Sequence, residues 1–151
     1  MMLDLYALPP KEYLGLFMRY KAKASNIEAE LSDLADTLGP VALDSMPGKG
    51  VISHPTEAAA LKLIETRKRY QAELEEADAI CNDVLDTINS LEDAKSSKLL
   101  YLKYCKDMPW ALVADELHYS VAYVKQELHA IALDQLKIQM QRKAMAKVGG
   151  M

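Results

Sequence analysis

Apolar residues recur along the first quarter of the chain with a strict helical spacing. After Pro9-Pro10, a favourable place for a helix to begin, they advance in alternating steps of four and three residues. The positions are Tyr13, Phe17, Tyr20, Ala24, Ile27, Leu31, Leu34 and Leu38. This 3.5-residue period is typical of a coiled-coil seam, and Gly39-Pro40 is expected to end the helix. The pattern predicts a helix over residues 10–38.

A second run follows Pro55 with the same spacing and predicts a helix over residues 56–91. Its seam positions are Leu63, Arg67, Tyr70, Leu74, Ala77, Cys81, Val84, Ile88 and Leu91, of which Arg67 alone is charged. The connecting residues 39–55 are rich in Gly and Pro and follow neither a helical nor a strand period, so they predict a loop. That loop is longer than most connections between helices.

Two long helices joined by one loop most simply form an antiparallel coiled-coil hairpin, which we expect over residues 1–95. The alternative is that each seam pairs with a second copy of the chain. A two-helix hairpin buries little core by itself, so a homodimer is expected on either account.

The last third of the chain, residues 97–147, has a different layout that predicts a helix-turn-helix domain. Asp107 is expected to cap a first helix, Pro109 suits its first turn, and Ser120 is expected to cap a second helix. Val124 is expected to pack inward, and the final helix is expected to run from Val121 to about Lys147, before a disordered tail at 148–151. The chain is therefore predicted to be all-α.

Three stretches of this domain resemble a known family. They are residues 99–104 (Leu-Leu-Tyr-Leu-Lys-Tyr), 108–110 (Met-Pro-Trp) and 113–120 (Val-Ala-Asp-Glu-Leu-His-Tyr-Ser). They look like the helix-turn-helix of phage and prophage transcription regulators of the ArpU/RinA type, which is similar to the C-terminal domain of bacterial sigma factors. The resemblance implies a transcription regulator that binds double-stranded DNA and contacts RNA polymerase.

The resemblance also implies which side chains face the DNA major groove: Val121, Ala122, Lys125, Gln126 and His129. Lys125 suits a phosphate or a guanine, and Gln126 carries the donor and acceptor that match an adenine edge. Val121 and Ala122 suit a thymine methyl group.

The chain departs from the family at the start of the second helix, where members usually carry arginines and this sequence has Val121 and Ala122. Few phosphates are then neutralised by that helix. An alternative is a coiled-coil adaptor whose helix-turn-helix contacts protein instead of DNA. A third possibility is a structural or packaging component of a phage particle.

Charge is distributed unevenly along the chain. The net charge of the 151-residue chain is -4. Residues 1–97 carry 10 Lys and Arg against 17 Asp and Glu, whereas residues 98–151 carry eight against five. A basic final third is the electrostatic footprint expected of a region that meets a polyanion, although ordinary surface scatter also accounts for it. The basic residues near the chain end are expected to be solvated, with contact to the DNA backbone as the alternative; they are Lys137, Arg142, Lys143 and Lys147.

No residue pattern indicates a catalytic, cofactor or metal site. Cys81 and Cys105 lie inside helical runs and form no CxxC pair, and the three histidines lack ligand spacing. No nucleophile is paired with a base, so we expect no enzymatic activity, no cofactor and no metal site. No membrane-spanning stretch or export signal is expected, which favours the cytoplasm of a bacterial host.

Overall fold

The computed structural model describes residues 4–43 and 57–149, and these residues form helices and turns without any strand. The predicted all-α class is therefore confirmed. A 3-10 turn, Leu5–Ala7, precedes α1 (Pro10–Leu43), α2 (Glu57–Asn89), α3 (Ala94–Leu100), a π-helical segment (Tyr101–Cys105), α4 (Trp110–Leu117), α5 (Val121–Tyr123), a second π-helical segment (Val124–Leu128) and α6 (His129–Gly149).

Helix bounds agree with the sequence pattern except at two ends. The prediction that Gly39-Pro40 ends α1 is wrong, because the helix continues to Leu43. An interior proline removes one backbone hydrogen bond, and a helix of 34 residues retains many others. The prediction of a disordered tail from residue 148 is also wrong in part, since α6 reaches Gly149. Residues 44–56, and with them most of the predicted loop, lie outside the described residues.

The chain folds into two compact units. The first unit comprises residues 1–20 and 80–151, and the second comprises residues 21–79. The two seam helices, α1 and α2, contribute residues to both units.

In the first unit, the start of α1 packs antiparallel against the end of α2. Tyr13 bonds to Asp83, and the Cys81 thiol lies 3.5 Å from the carbonyl oxygen of Phe17, so residue numbers rise on one helix as they fall on the other. Except for the half-buried Tyr20, the seam side chains here are almost fully buried, as predicted. They pack with residues from the later helices into one core, including Leu99, Leu100, Val113, Val124, Ala132 and Leu136, each of which is 0 % exposed.

In the second unit, the same seam is shallower. Ala24, Ile27 and Ala77 are buried, but five other large seam residues are only half-buried. These half-buried residues are Leu31, Leu34, Leu63, Tyr70 and Leu74. Arg67, the charged seam position, is exposed, as expected for a long side chain that keeps its charged end in water.

A polar network joins three helices within the first unit, and we call it the Asp83 cluster: Tyr6, Tyr13, Asp83, Thr87 and Lys143. The Asp83 carboxylate accepts hydrogen bonds from the hydroxyls of Tyr6 (2.6 Å) and Tyr13 (2.5 Å) and from the Lys143 ammonium (3.1 Å). Lys143 also donates to the Thr87 hydroxyl at 2.6 Å. The network fixes α6 to the ends of α1 and α2.

The ionisation of Asp83 reflects these contacts. Burial opposes the charged carboxylate, but the hydrogen bonds from Tyr13, Tyr6 and Lys143 outweigh it and hold the pKa of Asp83 below its ordinary value. Burial and the neighbouring carboxylate raise the pKa of both tyrosines, so their hydroxyls remain donors.

Candidate nucleic-acid interface

Helix α4 rests on the core and ends in a left-handed residue. Its inward side chains, Val113, Ala114 and Leu117, are buried. His118 follows with φ 66° and ψ 41°, and the Tyr119 amide donates to the carbonyl of Ala114 at 3.1 Å. A non-glycine residue pays about 1 kcal/mol for this conformation, so the sharp turn is retained at a cost.

The two predicted helix caps have different outcomes. Ser120 caps α5, as predicted, because its hydroxyl accepts a hydrogen bond from the Tyr123 amide at 3.2 Å. Asp107 does not cap α4: the N-cap position is Pro109, which makes no side-chain cap bond. A capping side chain must stand directly before the first helical residue, and Asp107 lies two residues too early.

Four of the five residues predicted to face DNA lie exposed on one stretch that follows this turn. Val121 is 42 % exposed, and Ala122, Lys125 and Gln126 are exposed as well. Val124, between them, is 0 % exposed and holds the stretch on the core. The geometry leaves Lys125 and Gln126 open to solvent, while contact with DNA stays a prediction.

The prediction that His129 faces the groove is wrong. Its side chain is only 8 % exposed. The His129 Nε2 atom lies 2.7 Å from the Tyr104 hydroxyl, and the Trp110 ring meets the imidazole edge-on with centroids 4.8 Å apart. His129 is therefore a packing residue that joins α6 to α4 and to the π-helical segment before it.

A change of helical register explains this error. In a regular helix, His129 would share the face of Lys125 and Gln126. The π-helical segment Val124–Leu128 inserts one extra residue into a turn, which rotates every later side chain by about 100°. The buried positions Val124, His129 and Ala132 accordingly advance by five residues and then by three.

The environment of His129 favours its neutral form. Burial lowers the pKa of the imidazole, and the positive charges of Lys11 and Lys103 lower it further. The Lys103 ammonium lies over the Trp110 ring, 4.7 Å from its centroid. Protonation of His129 would thus place a buried positive charge close to the Lys103 ammonium.

Sequence reasoning missed an aromatic group beside the predicted surface. The rings of Tyr119 and Tyr123 lie 5.3 Å apart and are 36 % and 43 % exposed. The Lys95 ammonium, at the start of α3, donates to the Tyr119 hydroxyl and lies 5.0 Å from its ring centroid. The available signal was the pair of tyrosines four residues apart across the turn, while the contribution of Lys95 depends on the tertiary fold.

The charge around this surface is mixed. Lys125 is the single cation between residues 121 and 129, and Glu127 is exposed in the same stretch. Asp115 and Glu116 are exposed near the end of α4. Besides its apolar and aromatic side chains, the surface therefore carries Lys125, the adjacent Lys95 and several negative groups.

Two other features are absent from the described part of the chain: a metal-ligand cluster and a membrane-spanning helix. Residues 4–43 and 57–149 contain no group of three or more histidine, cysteine or acidic side chains arranged to hold a metal ion. No helix among them has both the length and the apolar character needed to cross a bilayer.

Comparison with known proteins yields no relative: no protein-family model, no curated protein and no solved structure matches the chain.

Proposed function

We propose that this protein is a transcription regulator of phage or prophage genes that binds double-stranded DNA as a homodimer. The observation that carries the proposal is the exposed stretch of Val121, Ala122, Lys125 and Gln126, which directly follows a capped turn on a rigid core. A helix that starts at such a turn can enter the major groove with its first residues, while the preceding helix crosses the backbone.

The chemistry of the stretch suits direct reading of bases. Gln126 supplies the donor and acceptor that pair with an adenine edge, and Val121 offers an apolar contact to a thymine methyl group. Lys125, within the stretch, and Lys95, which contacts Tyr119, are cations that could bind the phosphates. With so few cations, we expect modest affinity and a shallow dependence of affinity on salt.

The test is a fluorescence anisotropy titration of the full chain at low salt against labelled phage regulatory DNA. Gln126→Ala is expected to weaken specific binding by about tenfold, and Lys125→Ala to reduce the salt slope by about one. Lys137→Ala, an exposed lysine farther along α6, is the matched control and should bind like the parent. Folded protein that binds none of these duplexes would refute DNA binding.

A protein partner is the second candidate, and the exposed apolar side chains favour it. Leu112 of α4 and Val121 and Tyr123 of α5 are 51 %, 42 % and 43 % exposed. The two helices contact each other, and exposed apolar patches often mark a protein-binding site. RNA polymerase is the partner expected of a regulator. In the absence of DNA, the parent chain is expected to co-sediment with polymerase. Loss of co-sedimentation in Leu112→Ser and Tyr123→Ser, two residues with no assigned DNA contact, would separate this role from DNA binding.

A further inference from the structure

Helix α6 carries a line of large apolar side chains on its outer face. Ile131, Ile138 and Met145 are 44 %, 48 % and 73 % exposed, and they follow one another at seven-residue intervals. Scattered exposed apolar residues are ordinary, but a heptad interval places all three along one stripe, with a drift of only about 20° per heptad. This is the spacing of a helix that pairs with another helix.

The stripe is separate from the face that anchors α6 to its own unit. The anchoring side chains Ala132, Leu136 and Met140 are 0–2 % exposed and belong to the core. Beside Ile138, a shallow groove is lined by Leu91 and Glu92, from the turn before α3, and by Arg142. The stripe therefore borders a recess that can receive a side chain from outside.

Charged residues flank the stripe with opposite signs at its two ends. Asp134 lies four residues before Ile138 and Arg142 lies four residues after it, and both are exposed. Residues eight apart on a helix are too distant to pair with each other, since helical neighbours are three or four apart.

We propose that this stripe is the homodimer contact, occupied by α6 of a second copy that runs antiparallel about a two-fold axis at Ile138. In that arrangement, Ile138 meets Ile138 of the partner subunit, and Ile131 meets Met145 of the partner subunit. Asp134 then lies level with Arg142 of the partner subunit, across the stripe, twice over. A parallel pair would place like charges opposite each other at both positions, and flanking charges select helix orientation.

The inference deepens the proposed function by naming the surface of its homodimer, and one consequence rests on that function. At 1.5 Å per residue, Lys125 lies about 20 Å from Ile138 along the helix axis. An antiparallel pair then separates the two Lys125 residues by about 39 Å, close to the roughly 34–36 Å between half-sites one DNA turn apart.

Cysteine crosslinking of the full chain, without DNA, tests the contact. The native thiols Cys81 and Cys105 are buried, so introduced cysteines dominate under mild oxidation. Ile138→Cys is expected to form a disulfide-linked dimer at least tenfold faster than Lys137→Cys, which lies beside it but is turned by about 100°. Equal rates for the two variants would overturn the proposal.

Mixed crosslinking tests the antiparallel direction. Ile131→Cys mixed with Met145→Cys is expected to give a heterodimer, whereas Ile131→Cys alone is expected to stay monomeric on a non-reducing gel. Efficient self-crosslinking of Ile131→Cys would refute the two-fold axis at Ile138.

Charge reversal tests the same antiparallel contact without introduced cysteines. By sedimentation equilibrium, Asp134→Arg and Arg142→Asp are each expected to raise the dimer dissociation constant by about tenfold. The double variant is expected to restore it to within about threefold, because each pair is again of opposite sign. If the single variants weaken dimerisation and the double variant does not restore it, the proposal is overturned. None of these three assays involves DNA, so failure here is distinguishable from failure of DNA binding.

Discussion

The same seam pattern is buried to different extents in the two units. In the first unit, the seam residues Tyr13, Val84 and Ile88 are 0 % exposed, because the later helices cover the helix pair. In the second unit, the seam residues Leu31, Leu63 and Leu74 are only half-buried. A heptad seam thus specifies which residues turn inward, while the number of surrounding elements decides how much of each side chain leaves water.

The largest expected difference between the units is in the cost of losing one seam side chain. Ile88→Ala should destabilise the protein by about 3–4 kcal/mol, since it removes a fully buried side chain and leaves a cavity. Leu63→Ala, at a half-buried position, should cost about 1 kcal/mol. Urea denaturation of both variants measures the difference. Equal costs would contradict the contrast in burial.

Loss of the Asp83 carboxylate should have the next largest effect. Asp83→Ala leaves Tyr6, Tyr13 and Lys143 without their shared acceptor, at a cost of about 2 kcal/mol. Because the folded pKa of Asp83 is lowered, its contribution is fully present above its unfolded pKa of about 3.9. That contribution is lost as the pH falls through the folded pKa.

Thermal unfolding at pH 7 and at acidic pH checks this expectation. The matched control is Asp78→Ala, an exposed acid of α2 in the second unit, which should change stability by less than about 0.5 kcal/mol. If Asp83→Ala were equally mild at pH 7, the Asp83 carboxylate would contribute nothing to stability.

The smallest expected effect is a pH dependence that belongs to the first unit. The folded pKa of His129 is lowered by burial and by Lys11 and Lys103, so the unfolded chain binds a proton more readily. Stability should be unaffected by His129 above its unfolded pKa of about 6.5 and should fall as the pH drops below that value.

A denaturation series between pH 7.5 and pH 5 checks the sign. His129→Phe keeps a ring against Trp110 and removes the titration, so its stability should fall less than that of the parent over that interval. Identical slopes for parent and variant would show that His129 does not titrate differently on folding.

Local patterns predicted most of the helices and the turn. The seam positions, the turn at His118 and the Ser120 cap all follow from spacing and from residue type within a few positions. Contacts between distant residues were not predictable in this way. Tyr6 and Asp83 are 77 residues apart, and Lys143 and Asp83 are 60 apart, so no window of sequence links them.

Two errors in the first unit have specific physical causes. The basic residues near the chain end predict a solvated Lys143, yet this lysine continues the buried spacing of Leu136 and Met140 and pairs with Asp83. Counting regular helical turns predicts an outward His129, and the π-helical segment before it breaks that count. A periodic pattern assumes constant helix geometry, which this chain does not keep.

The single tryptophan makes the two units optically distinct. Trp110 packs against His129 in the first unit, while the second unit, residues 21–79, contains no tryptophan. Excitation of the indole alone therefore follows the melting of one unit, and helical circular dichroism follows both. Comparing the two signals in the native chain therefore shows whether its two units unfold together.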